Sequence, residues 1–346
     1  IWICSRLVQG SVNGPPCFGR LAALTGRMSQ SLVDTTELRM QIYVDDPCMI
    51  LRGSRSRCRK LACVMILFWL VLGWGLSYHK AQLADTIDWI GYTIHIGANE
   101  VTAKVRAEFM ADFKDLTLDL IRRPRITLDT LRSYAGKANH IATLIYNWRP
   151  FLDQLWAALQ NRKETSSAPA HMIWVRQIIS SLEWLLAFLQ GSPGELVRSW
   201  RVDLFSNWGD IIVMILDASP FGFGGVLTLG GKIVSWFASP LTDTDVAIHK
   251  HERGDNKGQQ TWEALCVLIA VRSWSEYWIN KKATITIKSD NMTALALAAK
   301  MKSKVSALIS KEMALAFSSS SFQPRFIEHI PGAFNVTADA LSRLED

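Results

Sequence analysis

Residues Asp210–Pro240 read DIIVMILDASPFGFGGVLTLGGKIVSWFASP, and their pattern indicates the type of fold in the second half of the chain. Its three apolar runs are separated by a Ser-Pro turn and by the pair Gly230-Gly231. Two glycines between apolar runs are typical of a tight β-hairpin turn. The pattern therefore predicts three consecutive strands.

The residues that follow alternate between helical and extended patterns. A helix TWEALCVLIAVRSWSEYW, a strand ATITIKSD, two further helices, a strand FQPRFIEHI and a last helix after Gly332 complete the order βββαβαβα. Such an order predicts an α/β fold, with helices packed on a mixed sheet. A polar insertion at residues 240–260 separates the third strand from the first helix, and we interpret its histidines, His249 and His251, as solvated rather than metal-bound.

Four carboxylates fall at the ends of these predicted elements. Asp217 ends the first strand, Asp290 ends the fourth, Glu263 lies in the first turn of the first helix, and Asp339 lies in the last helix. Ligand sites of α/β folds lie at the carboxyl edge of the sheet, so these side chains are expected to converge there. Each also has a structural alternative, because an Asp before Asn291 can cap a helix, a glutamate favours a helix start and Asp339 can be solvated.

Clustered carboxylates would serve the hydrolysis of a phosphodiester. This reaction needs a hydroxide nucleophile and neutralisation of the charge on the leaving oxygen, and two divalent ions about 4 Å apart supply both. An all-oxygen ligand set favours Mg²⁺, with Mn²⁺ as a substitute, over zinc.

Four blocks of this region resemble the ribonuclease H domain of retroelement polyproteins. They are LDASPFGFGGVL, TWEAL, IKSDN and EHIPGAFNVTADALSR. The last block is the most specific, and its residues on the pattern of gypsy-like and tyrosine-recombinase retrotransposons are His329, Pro331, Gly332, Asn335, Ala338, Asp339, Leu341, Ser342 and Arg343.

The resemblance implies functional roles for several of these residues. Asp217, Glu263, Asp290 and Asp339 would bind two metal ions. His329, ten residues before Asp339, would assist catalysis and product release. Asn291 would lie near the RNA strand. The implied substrate is the RNA strand of an RNA–DNA hybrid, recognised by its 2′-hydroxyls and groove shape with little sequence preference.

The first half of the chain resembles the palm of a reverse transcriptase. The blocks are LVQGSVNGPPCF, IYVDDP, GLSYHKAQ and DWIGYTIHI, and their order and separations agree with that family. IYVDDP predicts two short strands that meet at an Asp-Asp-Pro turn, and DWIGYTIHI predicts another strand pair. The resemblance implies metal binding by Asp45 and Asp46 and contact with template-primer nucleic acid by Gln9, Gly10, Lys80, Trp89, Gly91 and Tyr92.

The polymerase site of that family requires one more aspartate upstream of the Gln-Gly block. Only eight residues precede Gln9, and none is Asp or Glu. We therefore expect a chain truncated at its N-terminus, with the fingers and first palm motif missing and with little polymerase activity.

The region between the two resemblances is predicted to be helical. Helices are expected at 102–121, 127–147 and 172–190, the first two resembling a thumb. The predicted domains are a partial palm at 1–100, thumb-like helices at 101–160, a connection at 161–208 and the ribonuclease H-like domain at 209–346.

Composition supports a nucleic-acid partner and a reducing compartment. The net charge is +7, and the surplus lies in residues 1–210, which carry 24 basic and 18 acidic side chains. Six cysteines form no C-x-x-C pair, and no signal peptide is evident, so we expect an intracellular protein of the cytoplasm or nucleus that is not secreted.

One apolar run raises the alternative of a membrane span. Residues 61–76, LACVMILFWLVLGWGL, carry no charge over sixteen positions. This is shorter than the roughly 20 residues that a spanning helix needs. The run favours a helix buried on most of its sides in a globular domain, without membrane insertion.

Together the two resemblances imply a retroelement reverse transcriptase and ribonuclease H fragment with nuclease activity. A non-catalytic nucleic-acid-binding remnant of a degraded element is the alternative from a different functional class.

Overall fold

The computed structural model describes residues 12–160, 169, 171–192, 196–201, 210–279, 281, 283–301, 307–320, 322 and 324–344. The chain divides into two compact units, 1–94 and 95–346. The predicted boundaries between palm, thumb, connection and nuclease domains remain predictions.

The described residues of the first unit, from residue 12 onward, form two α-helices and two hairpins. Its elements are α1 (Gly14–Ser31), β1 (Leu38–Tyr43), β2 (Asp46–Leu51), α2 (Arg55–Val71), β3 (Thr86–Trp89) and β4 (Tyr92–Ile96), the last ending two residues beyond the boundary. Both predicted strand pairs are present, β1 with β2 and β3 with β4. The turn of the first hairpin is Val44-Asp45, so that Asp46 and Pro47 already belong to β2.

The prediction that the apolar run 61–76 forms a helix buried on most of its sides is wrong for α2. Only Leu61, Met65 and Trp69 are buried, and they form one stripe at helical spacing that packs with Leu38 of β1. Val71 on the opposite side is 85% exposed. An uninterrupted apolar run gives no information on which side of a helix has a neighbour, and among the described residues the buried positions of α2 lie on one side. Among the helices that the structure describes, none combines the length and apolar character needed to cross a lipid bilayer.

The first part of the second unit is more varied than the predicted helices. Its elements are β5 (Glu100–Val105), α3 (Ala107–Arg122), β6 (Arg125–Thr127), α4 (Leu128–Leu144), α5 (Asp153–Gln160), β7 (Met172–Trp174), α6 (Ile179–Leu189) and β8 (Val197–Arg201). The predictions of helix from 102 and from 172 are therefore wrong at their N-terminal ends, which are strands. Both strands find partners that are distant in sequence, since β5 pairs with β8 and β6 with β7. Such pairing outweighs local helical propensity.

The remainder of the second unit confirms the predicted order βββαβαβα. Its elements are β9 (Asp210–Ala218), β10 (Gly222–Leu229), β11 (Lys232–Pro240), α7 (Asp243–His249), α8 (Gln259–Ser273), β12 (Ala283–Ser289), α9 (Met292–Lys300), α10 (Ala307–Ser320), β13 (Pro324–His329) and α11 (Val336–Ser342). Helix α7 belongs to the polar insertion and adds to that order.

These strands form a five-stranded mixed sheet in the order β11-β10-β9-β12-β13. Strands β9, β12 and β13 are parallel, and β10 and β11 are antiparallel additions. Helix α8 packs against β9 and β10, and α11 packs against β9, β10 and β11. The chain therefore has the predicted α/β fold, and the carboxyl ends of β9 and β12 lie side by side.

Glycine at position 224 allows α11 to lie directly on the sheet. A Cβ atom there would stand 2.1 Å from the carbonyl oxygen of Ala338 and 2.5 Å from the backbone nitrogen of Ser342. Gly224 is the cross-strand partner of Asp217, so α11 sits on the strand pair that carries this carboxylate.

Candidate metal centre

Three of the four predicted carboxylates converge at the carboxyl edge of the sheet. Asp217, Glu263 and Asp290 each offer an oxygen, and these oxygens lie within 4.8 Å of one another. Asp217 is the penultimate residue of β9, and Asp290 directly follows β12. Glu263 lies in the second turn of α8 rather than in its first turn, because the helix begins at Gln259. The structure therefore brings together strand ends and a helix as the sequence predicts.

The structural alternative for Asp290 does not hold. The side chain of Asn291 caps α9, where its Oδ1 accepts hydrogen bonds from the backbone nitrogens of Thr293 and Ala294. Asp290 therefore precedes the capping residue, and its carboxylate belongs to the three-carboxylate group.

The fourth carboxylate lies beside this group without joining it. The Oδ1 atom of Asp339 accepts a 2.9 Å hydrogen bond from Nε of Arg343, the residue directly after α11. Burial is the main cause of the raised pKa of Asp217, and the charge of Asp339 adds a smaller contribution in the same direction. In this arrangement Asp339 contributes to the electrostatics of the group, and its role as a metal ligand remains a prediction.

His329 lies at the margin of the group. Its Nε2 is 3.0 Å from the carbonyl oxygen of Asp290, and the side chain is exposed at the end of β13. The imidazole is therefore next to one of the carboxylates and accessible from solvent.

Two side chains, one from the residue before α11 and one from the end of α11, hydrogen-bond to the carboxylate of Asp217. Nδ2 of Asn335 donates to Oδ1 at 3.0 Å, and Oγ of Ser342 donates to Oδ2 at 2.9 Å. Nε2 of Gln259 likewise donates a hydrogen bond to Oε1 of Glu263, at 3.0 Å. Sequence reasoning assigned Asn335 and Ser342 only to a pattern and missed Gln259, although its position one turn before Glu263 was a usable signal.

Burial and mutual repulsion make the group electrostatically unfavourable when ionised. Burial raises the pKa of Glu263 to about 8, and the charge of Asp217 adds to this shift. Burial also raises the pKa of Asp217 to about 6, opposed by the hydrogen bond from Ser342. A divalent cation would relieve this cost, and the all-oxygen donors of these carboxylates suit a hard ion such as Mg²⁺.

The pKa of Glu263 predicts how stability depends on pH in the presence of EDTA. The folded chain keeps a proton on Glu263 up to about pH 8, whereas an unfolded glutamate loses it near the ordinary value of 4.5. The folded state binds more protons in this window, so its free energy of unfolding should fall on the order of a few kcal/mol as pH rises from 5 to 8. Denaturant titrations at both pH values measure the fall.

Substitution Glu263→Gln should remove most of that fall, because glutamine does not titrate. Glu252→Gln, at an exposed glutamate in the same unit, is the matched control and should leave the fall unchanged. An unaltered pH dependence in Glu263→Gln would contradict the assignment.

The histidines of the insertion are not solvated as predicted. The imidazole rings of His249 and His251 both pack edge-on against Trp262, with centroids 5.8 Å and 5.9 Å from its ring. Both imidazoles are half-buried, and burial lowers the pKa of His249. They pack against an aromatic ring, and in the described part of the chain neither belongs to a group of potential metal ligands.

The predicted palm residues occupy a separate region in the first unit. Asp45 and Asp46 are exposed at the turn of the first hairpin. Nε1 of Trp89 donates to the carbonyl oxygen of Asp46 at 3.1 Å, so the two hairpins meet at this point. No third carboxylate joins Asp45 and Asp46 among the residues that the structure describes.

The other predicted nucleic-acid contacts are distributed around these hairpins. Gly91 has φ +87° and, with Ile90, forms the turn between β3 and β4, while Tyr92 is buried and Lys80 is exposed in a 3₁₀ turn. Gln9 and Gly10 lie outside the described residues. Contact of any of these residues with nucleic acid remains a prediction.

Comparison with known proteins gives low similarities. No protein-family model and no curated protein matches the chain. Among solved structures, a foamy viral protease-reverse transcriptase in complex with double-stranded DNA is 18% identical with a TM-score of 0.43, over 94% of this chain and 50% of that one. The chain thus spans about half the length of that protein.

Two further solved structures cover different parts of the chain. The foamy viral enzyme in complex with an RNA/DNA hybrid is 17% identical with a TM-score of 0.43, over 94% of this chain and 39% of that one. The RNase H1 of the halophilic archaeon Halobacterium salinarum is 17% identical with a TM-score of 0.28, over 38% of this chain and 92% of that one.

Proposed function

We propose that this chain hydrolyses the RNA strand of RNA–DNA hybrids at the Asp217–Glu263–Asp290 group, as part of a retroelement reverse transcriptase and ribonuclease H. The observation that carries the proposal is the convergence of these three carboxylates at the carboxyl edge of a mixed sheet. Their surroundings raise the pKa values of two of them, which is typical of functional sites.

The carboxylates would hold Mg²⁺, or Mn²⁺ as its substitute, and we propose two ions. When bound, such ions supply an activated water and neutralise charge on the leaving oxygen. Asp217, Glu263 and Asp290 contribute the ligand oxygens, and Asp339 raises the negative potential beside them. His329, exposed and adjacent to Asp290, is placed to carry a proton between the site and solvent.

Nucleic acid is the proposed partner. The basic surplus of residues 1–210 supplies positive charge for a phosphate backbone. Discrimination of a hybrid from duplex DNA would depend on the 2′-hydroxyls and on groove shape. The proposed location is intracellular, in the cytoplasm or nucleus, where such hybrids form.

We propose that polymerisation is not a reaction of this chain. Asp45 and Asp46 are exposed on a hairpin and have no third carboxylate beside them in the described residues. Two carboxylates without a bridging partner would position a pair of metal ions poorly for nucleotidyl transfer.

A cleavage assay tests the nuclease proposal. The full chain is incubated with Mg²⁺ and a hybrid whose RNA strand carries a 5′ label, and with duplex DNA and duplex RNA of the same sequence. We expect internal cuts in the RNA of the hybrid, none in either control duplex and none in EDTA. Binding of the hybrid without any cleavage would instead support the alternative, a non-catalytic nucleic-acid-binding remnant.

A further inference from the structure

We infer that Asn335 and Ser342 are positioning residues for Asp217, and that they hold its carboxylate in the orientation in which it binds a divalent ion. The inference rests on the proposed function and deepens it. Nothing in the sequence pattern by itself distinguishes this role from simple packing of α11 on the sheet.

The hydrogen bonds are divided between the two oxygens of Asp217. Asn335 donates to Oδ1 and Ser342 donates to Oδ2, so rotation about the terminal side-chain torsion would break both. Each carboxylate oxygen has about two lone pairs, so one on each oxygen remains for another partner. The two donors therefore fix the carboxylate without exhausting its capacity to bind a metal ion.

The side chain of Asn335 does not cap the helix that follows it, as an asparagine at this position usually does. It is the residue immediately before α11, where asparagine ordinarily accepts a hydrogen bond from the first turn of the helix. Here it makes no capping hydrogen bond, and its Nδ2 instead contacts the carbonyl oxygen of Leu216 and Oδ1 of Asp217. The Asn335 side chain therefore hydrogen-bonds to the carboxylate of Asp217 and does not cap α11.

The hydroxyl of Ser342 reaches the same carboxylate from about two helical turns beyond Asn335. Its Oγ lies 2.9 Å from both Oδ2 of Asp217 and the carbonyl oxygen of Asp339. Asn335 and Ser342 are 1% and 2% exposed, so water does not replace these donors easily.

Ser219 provides a matched control. Its Oγ donates to the carbonyl oxygen of Ser342 at 2.6 Å and accepts from the backbone nitrogens of Phe221 and Gly222. It therefore attaches the same helix to the same edge of the sheet without contacting the carboxylate of Asp217. A purely structural role for Ser342 would make Ser219→Ala and Ser342→Ala equivalent.

Calorimetric titration of the full-length variants with Mn²⁺ tests the inference. We expect Ser342→Ala and Asn335→Ala each to weaken Mn²⁺ binding about tenfold, within the range found when a group that orients a metal ligand is removed. Ser219→Ala should bind Mn²⁺ within about twofold of wild type, even if it unfolds at a lower temperature. Circular dichroism identifies variants that are folded, and Ser342→Ala decides the matter if Asn335→Ala does not fold.

Two results with the variants would overturn the inference. One is wild-type Mn²⁺ affinity in folded Ser342→Ala, and the other is equal weakening by Ser219→Ala. A wild-type chain that binds no Mn²⁺ at millimolar concentration would overturn it as well. A wild-type chain that binds Mn²⁺ with the expected pattern of variants but cleaves no hybrid would overturn the proposed function alone.

Discussion

Substitution Asp290→Asn is expected to lower the rate of Mg²⁺-dependent RNA cleavage in a hybrid by about a hundredfold or more. A bound metal ion contributes several kcal/mol of transition-state stabilisation, and each 1.36 kcal/mol is worth a factor of ten in rate. Asparagine has nearly the shape of aspartate but lacks the charge. Because Asn291, not Asp290, caps α9, the substitution should leave the helix intact.

The control for this variant is Asp210→Asn. Asp210 is an exposed residue at the opposite end of β9, and it is remote from the carboxyl edge of the sheet. The Asp210→Asn variant should cleave the hybrid at the wild-type rate. Initial rates with a labelled hybrid, at equal concentrations of folded protein, measure both variants. Full activity in Asp290→Asn would refute its assignment as a ligand, whereas inactivity of the wild-type chain as well would favour the non-catalytic alternative.

Substitution Gly224→Ala is expected to have the largest effect on stability. The new methyl group would meet backbone atoms of Ala338, Leu341 and Ser342, all closer than 3.0 Å. Backbone atoms cannot rotate away as a side chain can, so α11 must move from the sheet. We expect a loss of at least about 3 kcal/mol in the free energy of unfolding, at the upper end of overpacking effects.

Alanine in place of glycine at position 136 should change the free energy of unfolding in the opposite direction. Gly136 lies within α4, in the same compact unit, and an added Cβ would meet no atom within 4 Å. Alanine is favoured over glycine in a helix by about 0.5–1 kcal/mol, so Gly136→Ala should slightly stabilise the chain. Denaturant titration compares the two, and a loss below about 1 kcal/mol in Gly224→Ala would show that α11 does not pack as described.

The order of elements after residue 210 could be predicted from the sequence for a simple physical reason. Each strand there is bounded by a turn of distinctive composition, such as Gly230-Gly231, and each helix is long enough to show its own pattern. The carboxylates at strand ends could be located in the same way, because parallel strands such as β9 and β12 place their carboxyl ends at one edge. These parts of the fold depend on local signals.

Features that depend on distant partners could not be predicted. Strands β5 and β7 fall in segments whose local pattern predicts helix, and their pairing with β8 and β6 joins stretches that are distant in sequence. The exposed side of α2 was interpreted as buried because apolar character does not reveal whether a neighbour exists. The hydrogen bonds from Asn335 and Ser342 to Asp217 span more than 115 residues, and only the three-dimensional structure relates them.

The contact between α11 and β9 also has a consequence for how the chain folds during its synthesis. Asp217, Glu263 and Asp290 all leave the ribosome before α11 does, but the donors that hold Asp217 lie 118 and 125 residues after it. Contacts of such long sequence separation form slowly, because a large loop must close before they contribute. A nascent chain therefore passes through a stage in which all three carboxylates have been synthesised but are not yet held in their final arrangement. The capacity to bind a metal ion should then appear abruptly when α11 packs on the sheet.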